Sequence, residues 1–264
     1  MAGPTTAPRG AAKRADTPAG PPSVDPGRRR LSRRTRLLLG GVGVALIAVA
    51  TLWVLYGSSW FRVERVTTTG TDVLTRAEVE AAAAVPVGSP LVSVDTGAIE
   101  ARLRQKVPRI DSVDVVRSWP HGIGLKVIER KPVLVVEKGG KFVEVDAKGV
   151  RFATVDERPG HVPLLKLAPD RSPSLKRYGG DRLLREGVRV AGDLPGKVAQ
   201  ETETVRITSY DSVVLELTRG RTVMWGSGER GPVKARVLTA LMKAAPKAGH
   251  FDVSAPTAPA VSKS

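Results

Sequence analysis

Gly226, Gly228 and Gly231 spell G-x-G-x-x-G after an apolar run, Thr222 to Trp225, and Asp252 follows about 20 residues later. In a dinucleotide site that spacing lets backbone approach a pyrophosphate at a helix N-terminus while a carboxylate takes the ribose hydroxyls. The run before the glycines pairs instead with Val213 to Leu217 through a turn at Arg219 and Gly220, an antiparallel hairpin with no β-α-β unit around it. The glycines therefore read as a strand-to-helix loop, and no cofactor is expected. His121, His161 and His250 stand alone, neither H-E-x-x-H nor S-x-x-K occurs, and the carboxylates are scattered, so neither a metal site nor a serine nucleophile is supported. Cysteine is absent, which removes thiol catalysis, a sortase-like transfer included, and leaves the core to stabilise the fold without disulfides. The chain reads as a non-enzyme with no small-molecule substrate.

What it does carry is an anchor. Leu37 to Tyr56 (LLLGGVGVALIAVATLWVLY) holds 20 residues without a charge. At about 1.5 Å per residue they cross the roughly 30 Å hydrocarbon core of a bilayer. Arg28, Arg29, Arg30, Arg33, Arg34 and Arg36 precede the run and set the N-terminal side in the cytoplasm. Trp53 and Tyr56, with Trp60 and Phe61 beyond, suit an interfacial aromatic belt, and the run exceeds the apolar core of a cleaved signal peptide. Residues 1–36 are expected as a disordered basic cytoplasmic tail and 37–56 as a single transmembrane helix, with Leu37, Trp53 and Tyr56 marking the span. Of the net charge of +16, the tail supplies nine Lys or Arg against two acids, and the chain from Gly57 supplies 33 against 24. The tail's charge suits anionic membrane lipids. Outside, basic residues are interleaved with acids and aromatics are few, so nucleic acid is not an expected partner.

The elements beyond the anchor follow in a readable order. Phe61, Val63 and Val66 before Gly70 predict a strand with one irregularity. Thr75 and Glu78 form a capping box for a helix through Ala84, stopped by Pro86 and Gly88. Asp95 caps a second helix on which Ile99, Leu103 and Val107 recur, ended by Pro108. Val113 to Trp119 and Ile123 to Glu129 alternate on either side of Pro120, His121 and Gly122, a β-hairpin. Two helices on one face of a small sheet make an α+β module. The run FRVERVTTTG, the G-x-P-L of Gly88 to Leu91, the V-x-R-x-W-P of Val115 to Pro120 and the V-x-E-R-x-P of Val127 to Pro132 resemble the POTRA domain and following junction of the FtsQ/DivIB family of bacterial division proteins.

Strands follow at Val133 to Val136, Phe142 to Asp146 and Val150 to Phe152, then Pro163 to Leu167 and a helix near Leu183 to Ala191. Further strands are expected near Val205 and Ile207, at Val213 to Leu217 and at Thr222 to Trp225, then a helix from Pro232 to about Ala245 and a last strand at Phe251 to Ser254. The expected organisation is a POTRA domain over 60–130, a mostly antiparallel β domain over 131–256 with a C-terminal helix and strand, and a flexible tail over 257–264. The resemblance covers about residues 28 to 258 and loosens between His161 and Ala199. It implies a single-pass scaffold of the division septum that meets the coiled-coil proteins FtsB (DivIC) and FtsL and, through them, FtsW and FtsI. It places partner binding at Phe251, Asp252, Val253 and Ser254 and on Val233 to Met242 of the helix before them. Val237, Leu238, Leu241 and Val253 themselves read as core, which leaves backbone groups and outward residues of a terminal edge strand to accept an incoming strand. The other reading is a POTRA-containing secretion or envelope-assembly protein that binds client chains.

Overall fold

The computed structural model describes residues 32–167 and 179–263. Helix α1, Arg33–Gly57, starts where Ser32 Oγ accepts the Thr35 backbone N–H at 3.2 Å, and it buries none of its residues. Leu37 and Trp53 are each 72% exposed, as a helix solvated by lipid requires. The Thr51 hydroxyl donates to Ile47 O at 2.8 Å and so needs no partner from hydrocarbon. Arg33, Arg34 and Arg36, expected in the tail, form the first turn of α1, because the Ser32 cap and good helix propensity carry the helix past the apolar boundary. Arg28, Arg29 and Arg30 lie outside the described residues, with most of the expected tail.

After α1 come β1 (Arg65–Thr69), α2 (Arg76–Ala83), α3 (Thr96–Lys106), β2 (Ile110–Ser118) and β3 (Gly122–Glu129). The sheet order is β1-β3-β2, with β1 parallel and β2 antiparallel to β3. Both predicted caps form: the Glu78 N–H donates to Thr75 Oγ1 and the Ala98 N–H to Asp95 Oδ1. Val79, Ala83, Ile99 and Leu103 face inward onto Ile123, Leu125 and Val127 in one buried cluster. Each large aliphatic side chain buried there contributes roughly 1.5–3 kcal/mol. The strand expected from Phe61 starts at Arg65 instead. Phe61 closes a short 3-10 turn over Ser59–Phe61, and Val63 exchanges backbone bonds with Ser89 O and the Gly88 N–H, so this stretch ties to a loop and not to the sheet.

The second sheet is built from β4 (Pro132–Lys138), β5 (Lys141–Asp146), β6 (Arg151–Val155), β7 (Leu164–Leu167), β8 (Thr202–Ser209), β9 (Ser212–Leu217), β10 (Thr222–Gly226), β11 (His250–Asp252) and β12 (Ala260–Ser262). Its order is β12-β11-β10-β9-β8-β7-β4-β5-β6, antiparallel except for the β4–β7, β7–β8 and β10–β11 pairs. Helices α4 (Gly180–Asp193), α5 (Gly196–Glu201) and α6 (Gly231–Ala244) complete the domain. Leu183, Val188, Leu238, Trp225 and Phe251 share its core with Leu134, Leu165 and Ile207. The whole chain is α+β, as its element order implied.

Ion pairs join the first sheet to the second. Arg109 Nη2 donates to Glu144 Oε2 at 2.5 Å while its guanidinium lies over the Phe152 ring, 5.2 Å from the centroid. Arg130 Nη1 reaches both Asp146 Oδ2 at 2.5 Å and Asp111 Oδ1 at 3.0 Å, and Lys148 Nζ adds a bond to Asp111 at 2.6 Å. The Lys148 bond holds the Asp111 carboxyl below its ordinary value despite some burial.

Candidate functional site

The C-terminal end of the large sheet is assembled from β10, α6, β11 and β12. Pro232 stands in the first turn of α6, where its missing N–H costs nothing. The helix then lays Leu238 into the core, and β11 returns beside β10 in parallel register, Val223 opposite Phe251. Of the four residues expected to meet a partner, Phe251 is 1% exposed and Val253 fully buried, so both are core. The Val253 N–H donates to Met224 O at 3.0 Å, toward the interior of the sheet. Asp252 Oδ1 accepts from the Ser254 N–H at 2.9 Å and from its hydroxyl at 2.7 Å, a local turn that ends the strand.

The edge itself is elsewhere than the sequence suggested. Ala260, Val261 and Ser262, expected in a flexible tail, form β12 and pair antiparallel with Asp252, Phe251 and His250. All three are exposed, and the Gly249 N–H to Ser262 O bond at 3.2 Å extends the ladder by one rung. Strand β12 therefore occupies the outer side of β11 and offers its own outer side to solvent. An open hollow of about 390 Å³ lies beside it, lined by Ala245, Pro246, Ala248, Val261 and Lys263. A second, of about 560 Å³, separates α5 from α6 between Lys197, Val198, Thr239 and Met242. An edge of unpaired backbone beside shallow hollows can take an extended segment with side chains in the hollows.

The glycine-rich loop between β10 and α6 has its anion already. The Gly228 N–H donates to Glu186 Oε1 at 2.5 Å, and Glu186 is 4% exposed. A Cβ on Gly228 would stand 2.1 Å from that oxygen, and one on Gly231 would stand 1.9 Å from Asp193 Oδ2. The glycine spacing admits two carboxylates from α4. Lys234 Nζ closes the loop from below, donating to Trp225 O at 2.9 Å and Ser227 O at 2.8 Å. Burial, helped by Arg230, pulls the Lys234 ammonium below its ordinary value. His121 sits in the hairpin turn, and His250 Nδ1 shares a 2.7 Å hydrogen bond with the Thr222 hydroxyl.

The comparisons with known proteins cover this whole architecture. The profile of the FtsQ-type POTRA domain matches residues 61–130. The cell division protein FtsQ of Streptomyces venezuelae is 66% identical over 100% of this chain and 99% of its own length. That of Streptomyces coelicolor is 62% identical over the full length of both, and that of Mycobacteroides abscessus 31% identical over 85% of this chain and 69% of its own. The extracytoplasmic domain of DivIB from Geobacillus stearothermophilus matches with a TM-score of 0.34 at 16% identity, over 44% of this chain and 93% of that one, too slight a likeness to argue from. The chain belongs to the FtsQ family of cell division proteins, in its actinobacterial branch, as a membrane-anchored member with a POTRA domain.

Proposed function

We propose that the protein is a non-enzymatic, single-pass scaffold of the division septum, with its N-terminus in the cytoplasm and its C-terminal sheet edge as the docking site for FtsB (DivIC) and FtsL. Through them it bears on the septal synthase pair FtsW and FtsI. The observation that carries this reading is the exposed three-residue strand β12, paired beside β11 at the end of a nine-stranded sheet. Folds blunt exposed edges with short strands, charges or prolines; β12 is short, but its Ala, Val and Ser carry neither charge nor proline and open hollows lie beside it, which fits a surface that a partner can pair with. Strand addition uses backbone bonds for affinity and the neighbouring hollows for selectivity.

Binding of the FtsB extracytoplasmic segment to the full chain in detergent micelles tests this, with residues 259–264 removed in a parallel variant. The proposal expects affinity to change at least about tenfold, or roughly 1.4 kcal/mol. A fall means that the partner pairs with β12; a rise means that it replaces β12 on β11. Unchanged affinity in the folded variant contradicts an edge interface. Val253→Pro is a poor probe of the same idea, because the N–H it removes serves Met224 in the core.

A further inference from the structure

We infer that the hairpin tip of the POTRA domain, with Trp119 at its apex, rests on the lipid headgroup layer of the membrane that α1 enters. Three exposed apolar side chains stand on stretches that are bonded to one another at this end of the domain: Trp60 (75% exposed), Val87 (66%) and Trp119 (52%). They come from three separate stretches of chain, all tied to the residues that leave the membrane. The Trp119 ring packs edge-on against Phe61 with centroids 5.7 Å apart. His121 O, at the same tip, accepts the Glu64 N–H at 2.9 Å and the Arg65 N–H at 3.3 Å. The loop carrying Val87 is held by the Gly88 N–H to Val63 O bond at 2.8 Å and by Arg62 Nη1 on Gly88 O at 2.8 Å.

Chain length then sets the distance to the bilayer. Only Ser58, Ser59 and Trp60 separate Gly57, the last residue of α1, from Phe61. Four residue steps span at most about 14 Å even when extended. Here Ser59, Trp60 and Phe61 lie in a 3-10 turn, which rises only about 2 Å per residue. Phe61, and the Trp119 ring against it, are thereby kept within reach of the interfacial layer, about 5–7 Å deep on each side of the hydrocarbon core. Tryptophan is favoured at that depth, with its ring among acyl carbons and its N–H in the headgroups. Trp53 and Tyr56 in the last turns of α1 begin the aromatic belt, and Trp60 and Trp119 continue it from outside. Arg65, exposed next to the tip, suits anionic headgroups, while Glu64 beside it opposes them, so apolar insertion and not charge is the main contact.

Trp225 is fully buried and serves as an internal reference for the test. The full chain is reconstituted in phosphatidylcholine–phosphatidylglycerol nanodiscs, with Trp53→Phe and Trp60→Phe leaving Trp119 and Trp225 as emitters. Lipids brominated high in the acyl chain should remove part of the emission, and that loss should disappear when Trp119→Phe is added. Equal emission in brominated and plain lipid, with Trp225 emission still showing a folded protein, overturns the inference. It would leave Trp119 as packing for Phe61 or as a contact for another protein. Neither outcome depends on which partner takes the C-terminal edge.

Discussion

Glu129 ends β3 with its carboxylate turned onto the loop before α2, where it accepts the N–H groups of Asp72 at 2.7 Å, Leu74 at 2.9 Å and Val73 at 3.2 Å. Burial pushes this carboxyl up, but the three backbone donors, aided by Arg109, outweigh burial and hold it below its ordinary value of 4.5. Because the folded value is the lower one, the stabilisation is complete above about pH 4.5 and is lost as pH falls through the folded value. Glu129→Gln should therefore cost about 1–3 kcal/mol at neutral pH, in urea unfolding of the full chain in micelles, with the difference shrinking in acid. A pH-independent difference would show that the charge is not what holds the loop. The sequence marked Glu129 only as part of a motif, since its partners lie more than 50 residues away along the chain. Gly228 and Gly231 read from the sequence as a strand-to-helix loop and not a cofactor site, but what their missing side chains make room for, Glu186 and Asp193 of a helix about 40 residues away, lay equally beyond its reach. Thr75, Glu78 and Asp95 were legible because a cap is made within three residues.

Among the elements, α4 shows why helix propensity is a weak guide once packing is set. Gly187 lies in its middle, and a Cβ there would meet Leu165 Cδ1 at 2.8 Å and Ile207 Cδ1 at 3.2 Å, so the glycine is what lets the helix approach the sheet. Gly187→Val should destabilise by about 1–3 kcal/mol through overpacking, against its better helix propensity. Gly192 in the same helix has nothing within 4 Å, and Gly192→Ala should be neutral or stabilising by up to about 1 kcal/mol. Thermal unfolding of the two variants separates close approach from propensity, and equal shifts would contradict the packing account. Strands with period-two apolar patterns, such as β2, β3 and β9, could be read directly from the sequence. Strand β12 could not, because three small exposed residues after a proline-rich stretch carry no alternation and exist as a strand only through β11. The candidate edge was thus placed one strand too far inward. Leu238 and Val253 are core, as expected, and Phe251 packs with them.

At the scale of the whole molecule, the POTRA domain and the large sheet are joined by Arg109–Glu144 and by Arg130 between Asp111 and Asp146. Side-chain exposure at the Arg109–Glu144 pair is only 13% and 6%, so solvent screens it little and removing one partner strands a charge. This junction passes through the E-R-x-P stretch that helped to betray the family in the sequence, a case where a motif marks an interdomain seam and not a reactive centre. The most direct test is fluorescence localisation of the full-length chain in dividing cells, beside a variant lacking residues 259–264, with the coiled-coil partners labelled in both. Septal bands whose partner recruitment depends on that last segment are the expected result. Uniform membrane signal with normal septation, or septal recruitment indifferent to the segment, would contradict the account of a division scaffold that works through its C-terminal edge.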